Sequence, residues 1–154
     1  MQKVKQVIVF RKDIYKKIRG GKFGAQCGHA GSISVLQFLK PVTHDNFPQL
    51  FIDMGDGQME PAVKKGEKML VMKYQDDSAI DSWINGKFTK IVVSCETEDE
   101  LKQIHERAGE LEIASEIITD AGITEFKEPT FTCVAIGPDY SKKIDKITGD
   151  LPLM

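Results

Sequence analysis

A chain of 154 residues, 41% apolar and 29% charged, fits one ordinary globular domain large enough to bury most of its apolar surface in one core. No apolar run reaches the length that crosses a bilayer and the N-terminus has no signal-peptide pattern, so a cytoplasmic protein with no membrane partner is expected. A net charge of −2 excludes attraction to nucleic acid by total charge, and three widely spaced cysteines, Cys27, Cys95 and Cys133, exclude a disulfide framework or a paired zinc site.

In chain order, Val4–Arg11 (VKQVIVFR) comes first, with a dense β-branched centre that does not alternate. That pattern suits a central strand buried on both faces. Residues 1–22 also carry eight Lys or Arg against the single Asp13. Such a basic pole can hold phosphates even on a mildly acidic protein, which makes Arg11, Lys12 and Arg19 candidate substrate-binding residues. A solvated, solubilising surface explains the same charges equally well.

Arg19-Gly20-Gly21 breaks the chain, and a helix is expected over about residues 22–39, ended by Pro41. Its start attracts anions, because unpaired N–H groups and the helix dipole both favour negative charge. Lys22, Gln26 and His29 fall on one face of this helix, and Gly24, Gly28 and Gly31 on another. Interior glycines cost about 1 kcal/mol each relative to alanine, so the glycine face is expected to lie close on the sheet.

Residues 41–80 are rich in turn signals and are expected to form an insertion-like elaboration of the single 1–154 domain. Within them, residues 47–51 are apolar enough to pack and residues 68–74 suggest a strand. Residues 89–95 (TKIVVSC) read as a strand. Thr97 with Glu100 is a capping-box signature for a helix carrying Leu101, Ile104, Ala108 and Leu111. Strands are expected at 113–119, ending at Asp120-Ala121-Gly122, and at 131–136, stopped by Gly137-Pro138. A short helix is expected at 139–147. The alternation predicts an α/β three-layer sandwich, a mixed sheet of four to five strands with helices on both faces.

Three segments, taken together, resemble the type-2 peptidyl-tRNA hydrolases. They are Gly21-Lys22-Phe23-Gly24-Ala25-Gln26-Cys27-Gly28-His29-Ala30, then Thr119-Asp120-Ala121-Gly122-Ile123-Thr124, then Ala135-Ile136-Gly137-Pro138 followed by residues 144–151 (IDKITGDL). The resemblance covers residues 5–40 and 82–153. It departs from the family at Ile123 and Glu125, where an arginine and a glutamine are usual, and in the length of residues 41–80.

The resemblance implies hydrolysis of the ester between a peptide, or an N-blocked amino acid, and the 3′-terminal ribose of tRNA. It implies a homodimer and no cofactor. Lys22, Asp120, Thr124 and Thr132 match the positions implicated in catalysis. Asp120 would orient or deprotonate water, and Lys22 would keep it ionised and stabilise the oxyanion. Thr124 and Thr132 would position water or the leaving ribose. Gln26 reads as a binding or orienting group, because an amide has no useful acid–base capacity. His29 reads as a hydrogen-bonded histidine on the substrate side. No histidine has metal-ligand spacing, and no dinucleotide or P-loop pattern is present, so no metal and no nucleotide cofactor are expected. The alternative left open by Ile123 and Glu125 is a catalytically weak relative that binds RNA or a protein.

Overall fold

The computed structural model describes residues 2–154. Two compact units result, one made of residues up to Leu36 with Tyr74–Met154, the other of Gln37–Lys73.

The first unit begins with β1 (Val4–Arg11), a one-turn helix α1 (Lys12–Tyr15) and the long helix α2 (Gly20–Leu36). In the second unit, β2 (Leu39–Thr43) pairs antiparallel with β5 (Lys68–Met72), and β3 (Phe51–Asp53) with β4 (Met59–Pro61). Pro41 therefore sits inside a strand, opposite Leu70, and does not end the helix. Residues 47–51 do not pack as their apolarity suggests: Phe47, Leu50 and Phe51 are exposed, and the buried apolar residues of this unit are Val42 and Val63.

The first unit resumes with α3 (Ala79–Ile84), β6 (Lys90–Cys95), α4 (Glu98–Glu110), β7 (Ser115–Asp120), β8 (Thr130–Tyr140) and α5 (Ser141–Thr148). Its sheet has the order β6-β1-β8-β7, with β6 parallel to β1 and both β1 and β7 antiparallel to β8. The result is a mixed four-stranded α/β sandwich. Residues Val7 and Val9 face Leu101, Ile104 and Ala108 of α4 and Ile144 and Ile147 of α5. Their neighbours Ile8 and Phe10 face the other way, toward Ile14, Ala30, Cys133 and Ala135. A strand buried on both faces has no polar row, which is why residues 7–10 read as continuous apolar sequence. Thr97 caps α4 by accepting the Glu100 N–H at 3.2 Å, while the Glu100 carboxylate reaches back to the Glu96 N–H at 2.7 Å.

Two expectations are corrected. Strand β8 does not stop at Gly137-Pro138, whose peptide bond is cis, but continues to Tyr140. Its pairing with β1 shifts between Lys5 and Val7, so the proline, which has no N–H to give, falls where the ladder is already interrupted. Helix α2 is also rotated from the predicted orientation. Gln26, Ala30 and Ser34 are its buried residues, and a Cβ placed on Gly24 or Gly28 would meet nothing within 4 Å. Ala30 packs on the sheet with Phe23 and Cys27 beside it, and of the three glycines only Gly31 is half-buried. The rotation follows from Gln26, whose amide is held inward by partners on β7 and β8. Among the described residues no helix is long and apolar enough to cross a membrane.

Candidate functional site

Strand β7 delivers Asp120 at its last residue, just before the chain turns at Gly122. The turn needs glycine: φ is +76° there, and a Cβ would come within 2.6 Å of the Glu128 carbonyl oxygen. The turn lets the Gly122 N–H donate to Asp120 Oδ1 at 3.0 Å, a cap the spacing Asp-x-Gly signals only weakly.

The second half of the site comes from the first turns of α2. Lys22 Nζ forms an ion pair with Asp120 Oδ2 and donates to Thr124 Oγ1 at 2.8 Å. One turn on, Gln26 Nε2 donates to the same carboxylate oxygen at 2.9 Å. Both ends of this amide are engaged, because Thr132 Oγ1 lies 2.8 Å from Gln26 Oε1 and 3.2 Å from the Ile118 carbonyl oxygen, with one proton to give. Lys22, Gln26, Asp120, Thr124 and Thr132 thus form one connected network drawn from α2, β7, β8 and the turn after β7.

Burial differs sharply along this network. Thr132 is wholly inaccessible and Gln26 nearly so, whereas the Lys22 side chain keeps 16% of its surface and that of Asp120 keeps 8%. Thr132 therefore does not reach water or a ribose, as the sequence reading has it; its hydroxyl fixes which way the Gln26 amide points. Burial works against ionisation of Asp120. The Lys22 hydrogen bond, the Gly122 N–H and the charges of Lys22 and His29 outweigh that effect, and its carboxyl titrates below the usual aspartate range. The site is thus a small water-accessible opening onto an ionised carboxylate and an ammonium, backed by a dry layer that orients them.

The other candidates lie around or away from this opening. His29 is exposed on α2 and acts on Asp120 only through its charge. Arg19 is 91% exposed, with its N–H donating to Glu125 at 3.1 Å and its Nε 3.5 Å from the same carboxylate. Glu125 is therefore compensated. Ile123 projects into solvent, 86% exposed, on the turn between Asp120 and Thr124. Lys12 pairs with Glu96 at 3.0 Å. Arg11 is corrected outright: it is buried and held by Asp13, Glu98 and the Phe131 carbonyl oxygen, so its charge is not presented to a ligand. Sequence reasoning also missed Phe126, whose ring centre lies 5.7 Å from Lys22 Nζ.

Burial pushes the thiols of Cys27, Cys95 and Cys133 up to about 11, about 12 and about 12, so none is a ready nucleophile. Among the described residues no group of three His, Cys, Asp or Glu is placed to hold a metal ion. A cavity of about 540 Å³ opens beside Val4, Lys5 and Thr89, at the opposite end of β1 from the network.

Comparison with known proteins adds a second line. The family model described as "Peptidyl-tRNA hydrolase PTH2" matches residues 4–154. A protein of Methanopyrus kandleri named peptidyl-tRNA hydrolase is 32% identical over 150 residues, covering 97% of each chain. One of the same name from Thermococcus onnurineus is 30% identical over 154 residues, covering both chains in full. A third, from Methanocaldococcus jannaschii, is 38% identical over 106 residues, covering 66% of this chain and 92% of its own.

Proposed function

This chain belongs to the peptidyl-tRNA hydrolase PTH2 family, and from that premise we infer that it hydrolyses the ester joining a peptide, or an N-blocked amino acid, to the 3′-terminal ribose of tRNA. The observation that carries the chemical assignment is the Lys22–Asp120 pair at the opening of an otherwise dry network.

Hydrolysis needs an oriented water, stabilisation of a tetrahedral oxyanion and a proton for the leaving 3′-oxygen. Asp120 supplies the first. Its Oδ2 is occupied by Lys22 and Gln26, while Oδ1 accepts only from Gly122 among the described residues. One lone pair of Oδ1 is left for a water hydrogen. A carboxylate held below its usual range is a poor base toward free water, so Asp120 acts mainly by aiming the water and takes its proton only as the C–O bond forms and the water oxygen becomes acidic. Lys22 supplies the second. An ammonium has three donors, of which Asp120 and Thr124 take two. The third is directed at the developing oxyanion, in a setting where it is worth more than in bulk water. Thr124 acts as a relay: its hydroxyl proton goes to the leaving ribose oxygen as Lys22 Nζ returns one to Thr124 Oγ1, and the proton Asp120 took from the water restores the ammonium. Gln26 and Thr132 are positioning residues: they fix Asp120 and touch no substrate.

The tRNA is proposed to approach across the N-terminal basic residues, with Arg19 and Lys12 exposed and Arg11 excluded by its burial. His29, exposed on α2 and close enough for its charge to act on Asp120, is proposed to join them. A homodimer acting in the cytoplasm completes the proposal. The deciding experiment incubates the purified protein with N-acetyl-aminoacyl-tRNA and follows release of the blocked amino acid. Catalytic release that Asp120→Ala and Lys22→Ala each suppress is expected; wild-type rates in both variants would remove the mechanism.

A further inference from the structure

We propose that the outer edge of β7 binds the peptide portion of the substrate as an added parallel strand, a reading that rests on the ester-hydrolase site proposed above. β7 is the last strand in the sheet, so one row of its backbone N–H and C=O groups has no strand partner among the described residues. The same strand ends in Asp120. Whatever pairs along it is therefore led into the reacting centre.

A cavity of about 290 Å³ accompanies this edge, lined by His29, Ile33 and Leu36 of α2 and by the strand residues 116–119. Successive side chains of a strand point to opposite faces, so a cavity on one face would touch alternate residues only. This one takes four in a row and so follows the backbone edge itself. Its α2 wall is apolar and accessible, with Ile33 at 36% and Leu36 at 50% exposure. The edge offers main-chain hydrogen bonds, and the wall offers a surface for every second side chain.

Direction is fixed by chemistry. The scissile carbonyl is the C-terminal group of the peptide and must lie at Lys22 and Asp120, the C-terminal end of β7. The peptide then runs back toward Ser115, parallel to the strand. The six residues of β7 give about 20 Å of edge at about 3.3 Å per residue, enough for five or six residues of peptide. Main-chain pairing also suits the ligand, because a peptide on tRNA has whatever side chains its message encoded, and strand addition draws its affinity from the backbone. The two ends of the substrate are thereby recognised by different means, phosphates by the basic residues and peptide by a sheet edge.

The test uses the full chain with tRNAs carrying N-acetylated alanine peptides of one, two, four and six residues. Each length is also made as a non-cleavable 3′-amide for binding by fluorescence anisotropy. Both kcat/KM and affinity are expected to rise about tenfold from one residue to four or more and then level off, as a few net backbone hydrogen bonds allow. N-methylation of alternate peptide nitrogens within the first five residues is expected to abolish most of that gain, and Ile33→Glu to flatten the length dependence. Equal kcat/KM and equal affinity at every length overturn the inference and leave the edge to another occupant, such as β7 of a second copy. Length-dependent binding of the amides with no cleavage of any ester overturns the hydrolase reading and leaves the peptide site standing.

Discussion

Arg11 and Lys22 are both cations of the basic N-terminal stretch, both with little of their side chains exposed, and both ion-paired to carboxylates far along the chain or close by. Arg11 is enclosed. Four of its five N–H donors go to Asp13, Glu98 and the Phe131 carbonyl oxygen, at 2.7 to 3.1 Å. Burial opposes its charge, and the two carboxylates more than restore it. Lys22 is unsaturated: one carboxylate, one hydroxyl, and a donor left over, at the edge of an opening that water reaches. The same charge in the same region is structural when two carboxylates and a carbonyl enclose it, and chemical when one of its donors faces an opening. Sequence shows the charge and conceals the enclosure.

Substitutions at the open cluster should cost activity, and at the closed one stability. The largest effect is expected from Asp120→Ala, which should lower kcat/KM about a thousandfold, within the range of a lost acid–base or water-orienting group. Lys22→Ala follows, with kcat down about 10²-fold, as for the loss of one oxyanion donor. It carries a signature besides the rate. Asp120 titrates below its usual range in the folded protein, so the ionised form, its stability and the activity persist above the unfolded-state value and are lost as pH falls through the depressed one. Removing Lys22 takes away the principal lowering influence and leaves burial, so the acid limb of the pH–kcat profile should move upward.

Thr132→Val should come next, reducing kcat about tenfold by loosening the Gln26 amide, with the acid limb displaced in the same direction. A leftward or unchanged limb would show that the amide is oriented by something else. Arg11→Ala should leave kcat/KM per folded molecule intact while lowering stability by about 1–3 kcal/mol, a modest figure because the Asp13 and Glu98 side chains keep 39% and 38% of their surface in water. Urea titration checks it, and a fall in activity without a fall in stability would break the distinction between the two cations. The smallest effect is expected for Arg19→Ala: KM rises modestly, and the slope of log affinity against log salt drops by about one.

Much of the first unit is legible in the sequence because its signals are local. Residues 7–10 declare a strand buried twice over, and Thr97 with Glu100 declares a helix start. What escapes is relational. Lys22 and Thr124 are separated by 102 positions and Gln26 and Thr132 by 106, and no period or propensity links them. Helix α2 shows why the rotation of a helix escapes its sequence. Its apolar residues are too evenly spread to dictate a rotation, so two buried hydrogen bonds of Gln26 decide it. The glycines look like contact residues only while that amide is assumed to point outward. Residues 37–73 resist reading for a different cause: their strands are three to five residues long and many of their large apolar side chains stay exposed, which removes the alternation that sequence patterns rely on.

The solvent-facing glycines of α2 have a consequence for motion. Gly20, Gly21, Gly24 and Gly28 crowd the turns that carry Lys22 and Gln26, and a Cβ at any of them would meet nothing within 4 Å. Nothing in the packing requires them, and each withholds up to about 1 kcal/mol of helix stability relative to alanine. The segment that holds the ammonium against Asp120 is therefore among the easiest parts of the first unit to open. Its amide protons should exchange with solvent well before those of β1, by local fraying that leaves the sheet intact. Catalytic geometry here rests on a helix end of low intrinsic stability, and alanine at Gly24 and Gly28 would make that end stiffer while adding no contact at all.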